Sequence, residues 1–221
     1  MHRRLFVIIA AAVVPIAAAT LASTPAFAGG GGGPCTGNGP VIGESPVGAS
    51  GQMTSYDGHD AAVGWQNFAA DGSSTALFID ASRTLSGESQ VVLFYQQFAA
   101  DNEITSFNVG YASSTSFSVA TNLSSAHLEA AGTLPSLTGG PAVNINASVS
   151  WVANGASNAS PQNGTTTQST QGQTIVRHLD ATCQPAQATG VVTIPGSSNL
   201  ATGNEYISEI DHIQSFTLTT S

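Results

Sequence analysis

The sequence predicts an all-β protein, a two-sheet antiparallel β-sandwich of jelly-roll-like or immunoglobulin-like kind with about ten strands. Three observations lead there. Beyond residue 28 the apolar residues fall into short runs rich in Val, Ile, Thr, Phe and Tyr, punctuated by clusters of Gly, Asn, Asp, Ser and Pro. Several runs alternate apolar and polar, the period of a half-buried strand, and none carries the period of an amphipathic helix. One seven-residue motif also recurs, each copy reading as a β-hairpin.

The first 28 residues read as an export signal. His2, Arg3 and Arg4 supply a charged start, Leu5 to Leu21 an apolar run interrupted by Pro15 and Thr20, and Ala26-Phe27-Ala28 a small-x-small cleavage site. Cleavage there leaves 221 − 28 = 193 residues beginning at Gly29, enough for one domain with a sizeable core. No later stretch approaches the roughly 20 apolar residues that span a bilayer, and the C-terminal residues show no lipid-anchor pattern. The expected product is secreted and extracellular, with no membrane contact after cleavage. Residues 29–40, with Gly29 to Gly33 and Pro34, read as a flexible leader, and residues 41–221 as a single sandwich domain.

Charge excludes whole classes of partner. Lysine is absent, only Arg83 and Arg177 follow the signal, and all 13 acidic residues lie beyond it, a formal balance of 2 − 13 = −11. Such a surface repels phosphate backbones and anionic lipid, which excludes nucleic acid and leaves cationic groups and metal ions. Only 8% of residues are charged, against about 25% in an average domain, so Ser, Thr, Asn and Gln must supply most of the hydrophilic surface. Cys35 and Cys183 are the only cysteines, and two thiols in an exported chain are expected to form one disulfide. It would close a loop of nearly 150 residues, for which chain entropy gives roughly 5 kcal/mol.

Along the chain, Trp65-Gln66-Asn67-Phe68-Ala69-Ala70-Asp71 recurs thirty residues later as Tyr95-Gln96-Gln97-Phe98-Ala99-Ala100-Asp101, with Leu77 and Ile79 matched by Phe107 and Val109. Asp71-Gly72 fits a two-residue turn with positive φ, and Asp101-Asn102 a similar, longer connection. Two copies are too few for a solenoid, so paired hairpins within one sheet system are expected. Gln90 to Phe98 is apolar on both faces and reads as a central strand covered on both sides. Further strands are expected over Ser116 to Thr121, Ala126 to Ala131, Val143 to Ala153, Thr174 to Leu179, Thr189 to Ile194 and Ile213 to Thr219. Asn154 to Gln173 is nearly devoid of large apolar residues and reads as a long exposed hairpin loop.

Familiar catalytic signatures are missing, among them Gly-x-Ser-x-Gly, His-Glu-x-x-His, a phosphate-binding loop and Cys-x-x-Cys. Each of the four histidines beyond the signal has a carboxylate close by. His127-x-Glu129 and His178-x-Asp180 place both groups on one face of a regular strand. If all four converged, two nitrogens and two oxygens would suit zinc or another divalent metal; separate solvated pairs are the expected outcome. His59-Asp60 and Asp211-His212 read as loop or strand-end pairs. Asp57-Gly58-His59-Asp60 offers oxygens and a turn to calcium but lacks the further ligands of a helix-loop-helix site, so an ordinary Asx-Gly turn is expected. Glu88, Glu103, Glu129, Glu205 and Glu209 are formally available as a glycosidase pair. Trp65, Tyr95, Tyr111 and Trp151 could stack on sugar rings, but aromatics inside apolar strands are expected in the core.

The segment Phe117 through Leu134, with its Ser-Ala-His-Leu-Glu-Ala run, together with Trp151, Val191 to Ile194 and Phe216 to Leu218, resembles uncharacterised exported β-sandwich proteins of high-GC bacteria. The resemblance covers roughly the second half of the chain. It implies a bacterial secreted sandwich and carries over no functional residue. The expected role is binding of an extracellular ligand, or a cell-surface or matrix role, without catalysis or cofactor. The alternative is a secreted hydrolase, metal-dependent or acting on polysaccharide, with a dispersed active site.

Overall fold

Alternating β-branched and polar residues build strands over most of the chain. The computed structural model describes residues 53–170, 172–194 and 204–220, and among these there is no helix. The strands are β1 (Met53–Phe68), β2 (Ser74–Thr84), β3 (Ser89–Phe98), β4 (Ile104–Tyr111), β5 (Ser114–Val119), β6 (Ser125–Leu134), β7 (Val143–Ala153), β8 (Asn158–Ala159), β9 (Gly164–Thr170), β10 (Gln173–Thr193) and β11 (Asn204–Thr220). The expected signal, the leader and Cys35 lie outside the described residues.

Every pairing is antiparallel, in the order β4-β3-β2-β1-β11-β10-β7-β6-β5, with β8 and β9 also on β10. β10 turns the corner between the two sheets. Its residues 174–185 pair with β11 in the large sheet, and residues 186–193 with β7 in the small one. Pro185 stands at the change and has no N–H to leave unpaired at a bend. Its carbonyl accepts from the Asn154 N–H and the Gln184 side chain.

The inner faces then meet in one buried cluster. Val63, Trp65, Leu77, Ile79, Leu93 and Tyr95 come from the large sheet, and Leu128, Leu134, Ile145, Val149, Trp151 and Val192 from the small one. Each aliphatic member stabilises the fold by roughly 1.5–3 kcal/mol on burial. The Trp151 indole N–H crosses the sandwich to the Ala62 carbonyl at 3.0 Å, tying the small sheet to β1. Asn108, fully buried, closes the free edge of β4: its side-chain amide donates to the Leu134 and Pro141 carbonyls. Backbone bonds from Val109 to Pro135 and from Leu137 to Phe107 complete that seam, so the edge is not left open to another chain.

The repeated motif makes a repeated turn. Gly72 donates to the Ala69 carbonyl and Ala69 to that of Ser73; thirty residues on, Asn102 donates to Ala99 and Ala99 to Glu103. Both are three-residue loops closed by a residue at positive φ, 88° for Gly72 and 67° for Asn102, rather than the two-residue turn that Asp71-Gly72 suggests. Asp71 and Asp101 each accept the backbone N–H two residues ahead, which fixes the turn. Trp65, Tyr95 and Trp151 are core residues, 2%, 3% and 0% exposed, as their apolar strands predict, whereas Tyr111, expected with them, is 54% exposed at the last position of β4.

Other expectations are corrected by pairing that composition does not reveal. The polar stretch Asn154–Gln173 is not a loop throughout, since it contains β8 and β9, and β9 pairs with β10 from Thr170 opposite Gln173 to Gly164 opposite Leu179. A strand whose side chains meet water needs no apolar residues, so its sequence looks like a loop. Thr174 to Leu179 and Thr189 to Ile194 are parts of one strand, because the bend at Pro185 does not end β10. β3 is buried at Val91, Leu93 and Tyr95 but only half-covered at Val92 and Phe94, since the second sheet packs on one face alone. Asp57-Gly58-His59-Asp60 is no turn: it lies within β1, paired with β11 throughout and with β2 from Gly58 onward.

Candidate functional site

The outer face of the small sheet carries hydroxyls and amides, with Val152 and Val191 exposed among them. Alternation turns His127, Glu129 and Thr133 of β6, and Asn144, Asn146, Ser148 and Ser150 of β7, away from the core. Ser118 of β5 lies opposite His127, and Thr189 of β10 opposite Ser150. Register sets His127 beside Ser150 and Glu129 beside Ser148. A hydrogen-bonded chain results, with Ser150 Oγ 2.9 Å from His127 Nδ1, His127 Nε2 3.2 Å from Glu129 Oε1, and the Ser148 hydroxyl donating to the same Oε1 at 2.7 Å. A carboxylate only accepts, which assigns the ring proton to Nε2 and leaves Nδ1 to accept the Ser150 hydroxyl. The His127 and Glu129 side chains are 48% and 55% exposed. Their pairing therefore adds at most about 1 kcal/mol to stability. A shallow recess of about 320 Å³ adjoins them, lined by Ser118, His127, Ser150, Trp151 and Val152 among others.

The structure does not bring His178 and Asp180 to this pair. They lie on the first half of β10, in the large sheet, where His178 Nδ1 is 2.9 Å from the Thr165 hydroxyl and the ring stacks on Phe216 at 5.4 Å. Asp180 accepts from the Asn163 side chain. β6 pairs with β5 and β7, whereas this part of β10 pairs with β9 and β11. Among the described residues no group of three or more His, Cys, Asp and Glu is arranged to hold a metal ion.

What sequence reading missed lies on the two faces of the β1 and β11 pair. His59-Asp60 and Asp211-His212 are mirrored dipeptides, and the antiparallel register sets His59 opposite His212 and Asp60 opposite Asp211. Like meets like, imidazoles on one face and carboxyls on the other. On the first face the rings are 5.1 Å apart at their centroids. His212 Nε2 is 3.1 Å from Asp57 Oδ1, and Gln214 donates to Asp57 Oδ2 at 3.0 Å. Burial, then the neighbouring His212, lowers the pKa of His59.

On the second face Asp60 and Asp211 are 2% and 1% exposed, with Glu209 buried beside them. The Tyr56 hydroxyl donates to Asp60 Oδ1 at 2.7 Å. Gly58 makes room for that reach, since a methyl there would overlap the Arg83 carbonyl and lie 2.6 Å from the Tyr56 hydroxyl. Asp60 Oδ2 and Asp211 Oδ1 are buried without a hydrogen-bond partner among the described residues. Burial first, and then repulsion from the neighbouring carboxylates, holds both carboxyls well above the usual range, while burial pushes Asp80 on the adjacent strand up to about 7. Cys183 is buried on this face.

No protein-family model matches the chain, and no curated protein or solved structure matches it.

Proposed function

We propose that the chain is a secreted binding protein whose outer small-sheet face recognises a neutral, hydroxyl-rich extracellular ligand such as a cell-surface or matrix glycan. One observation carries this reading: the ordered array around His127, Glu129, Ser148 and Ser150, exposed and already hydrogen-bonded into fixed orientations. Preset donors and acceptors lose little entropy on binding, and hydroxyls and amides around the single His127–Glu129 pair complement a polyol. The export signal and a Cys35–Cys183 disulfide belong to the same reading, as does the resemblance to exported sandwich proteins of bacteria.

The chain from Ser150 through His127 to Glu129 also has the connectivity of a hydrolase relay. Its surroundings favour binding. Ser150 lies mid-strand, paired with His127 on one side and Thr189 on the other, so neighbouring backbone N–H groups are engaged in ladders rather than aimed at a developing oxyanion. Co-sedimentation of the mature protein with a panel of insoluble neutral polysaccharides tests the proposal. Retention on at least one, weakened roughly tenfold or more by Ser150→Ala with Thr189→Ala, is expected. Hydrolysis of an activated ester or glycoside that Ser150→Ala abolishes, without retention on any polysaccharide, would establish the enzyme instead.

A further inference from the structure

We propose that His59 and His212 form a two-nitrogen site for a divalent metal ion of the imidazole-preferring class, zinc, nickel or cupric copper. Two side chains on directly opposed positions of adjacent strands are held by the sheet itself, so the spacing of the imidazoles is a property of the register. Their centroids are 5.1 Å apart. Two imidazoles binding one tetrahedral ion through nitrogens at about 2.0–2.1 Å place their ring centres roughly 5 Å apart. The sheet thus spaces the rings as such an ion would.

The second observation is the support behind His212. Its Nε2 faces the Asp57 carboxylate at 3.1 Å, and Asp57 is itself held by the Gln214 amide at 3.0 Å. A carboxylate accepting the proton of one ring nitrogen fixes the tautomer and presents the lone pair of the other, the arrangement that orients metal-ligating histidines. Here that lone pair is on Nδ1. The only cation directly across from His59 on the other side is Arg83 of β2, and its guanidinium is drawn to the Phe117 carbonyl at 2.9 Å. Thr182 stands across from His212 on β10 and brings no charge. The His212 and Asp57 side chains are 35% and 42% exposed, so water can reach the site and complete the coordination. Asp60 and Asp211 point to the opposite face and take no part.

Titration of the metal-free mature protein with zinc chloride, followed by calorimetry, reads the site directly, and cupric ion reports its ligands by electron paramagnetic resonance. Saturable one-to-one binding is expected near neutral pH. It should be lost in His59→Gln and in His212→Gln, weakened roughly 10–100-fold in Asp57→Asn, and retained in His127→Gln and His178→Gln. Binding should also vanish at about pH 5, where imidazoles are protonated. No saturable uptake at millimolar zinc, or uptake that survives both substitutions, or uptake that follows His127 or His178, would overturn the proposal. If a variant loses its fold by circular dichroism, zinc protection of the wild-type histidines from acylation, mapped by mass spectrometry, decides. Selective protection of His59 and His212 supports the site, and equal modification with and without zinc refutes it.

Discussion

Raising the pH from mildly acidic to neutral should weaken this fold, because its buried carboxyls hold protons that the unfolded chain gives up. Asp60, Asp80 and Asp211 all have raised folded-state pKa values, Asp80 reaching about 7. For such a group the contribution to stability is fully present below the unfolded pKa, 3.8 for Asp80, and is lost as pH climbs through the folded value. The slope is about 1.4 kcal/mol per pH unit for each extra proton held by the native state. For Asp80 the window from 3.8 to about 7 gives an upper bound of about 4 kcal/mol. Its side chain keeps some solvent contact, so about half of that is the expected share.

Asp60 and Asp211 act in the same direction and titrate as a coupled set. His59 opposes them: its pKa is lowered from 6.5, so its contribution is present above that value and is lost as pH falls below it. One proton against three leaves the carboxyls in control. Urea unfolding at intervals from about pH 4.5 to about pH 7.5 should show the unfolding free energy falling by at least about 2 kcal/mol. Asp80→Asn should flatten that slope, and Asp60→Asn with Asp211→Asn should flatten it further while raising stability at neutral pH. A wild-type stability that is level or rises across the window, or a slope unmoved by these substitutions, would refute the reasoning.

Trp151→Phe removes the indole bond to the Ala62 carbonyl and leaves a void at a fully buried position, an expected loss of about 2–4 kcal/mol. That corresponds to about 2–4 °C per kcal/mol in a melt, and an unchanged melting temperature would show the indole is not the tie between the sheets. Gly190→Ala places a methyl into the Ser148 carbonyl and 2.9 Å from Val149 Cα, so β10 must move off β7 at an expected cost of about 1–3 kcal/mol; wild-type urea stability would contradict the close approach. Asn102→Gly relieves a side chain held at φ 67° and should stabilise by about 0.5 kcal/mol. A loss in the same calorimetric melt would mean that the asparagine side chain supports the turn.

Local chemistry was the legible part of this chain. The period of two along β6 and β7, the apolar runs holding Trp65 and Tyr95, and the all-β class all follow from which residues alternate with which. The His127 and Glu129 pair was legible for the same reason, being two residues apart on one strand face. What lay beyond reach was partnership between distant strands. Neither the placement of His178 and Asp180 on another sheet nor the pairing of β9 with β10 leaves a mark within a short window. The mirrored order of His59-Asp60 and Asp211-His212 was a usable signal, because antiparallel pairing of reversed dipeptides can set like against like, but only a known register turns it into a contact.

That register also shows which force decides. A slip of one residue between β1 and β11 would set His59 against Asp211 or Asp60 against His212, exchanging two unfavourable like pairs for an attractive one. The same slip would rotate one strand's residues to the other face and turn either Ala61 and Val63, or Ile210, away from the core they share. Cross-strand charge pairs contribute roughly 0.2–1 kcal/mol, whereas each large aliphatic side chain removed from the core forfeits roughly 1.5–3 kcal/mol. Hydrophobic burial therefore sets the register, and the like pairs are what it leaves behind. On the acid face the conflict is relieved by retained protons, which makes the fold sensitive to pH. On the histidine face the register leaves two imidazoles with ring centroids 5.1 Å apart, and a shared metal ion is the ligand proposed for that spacing.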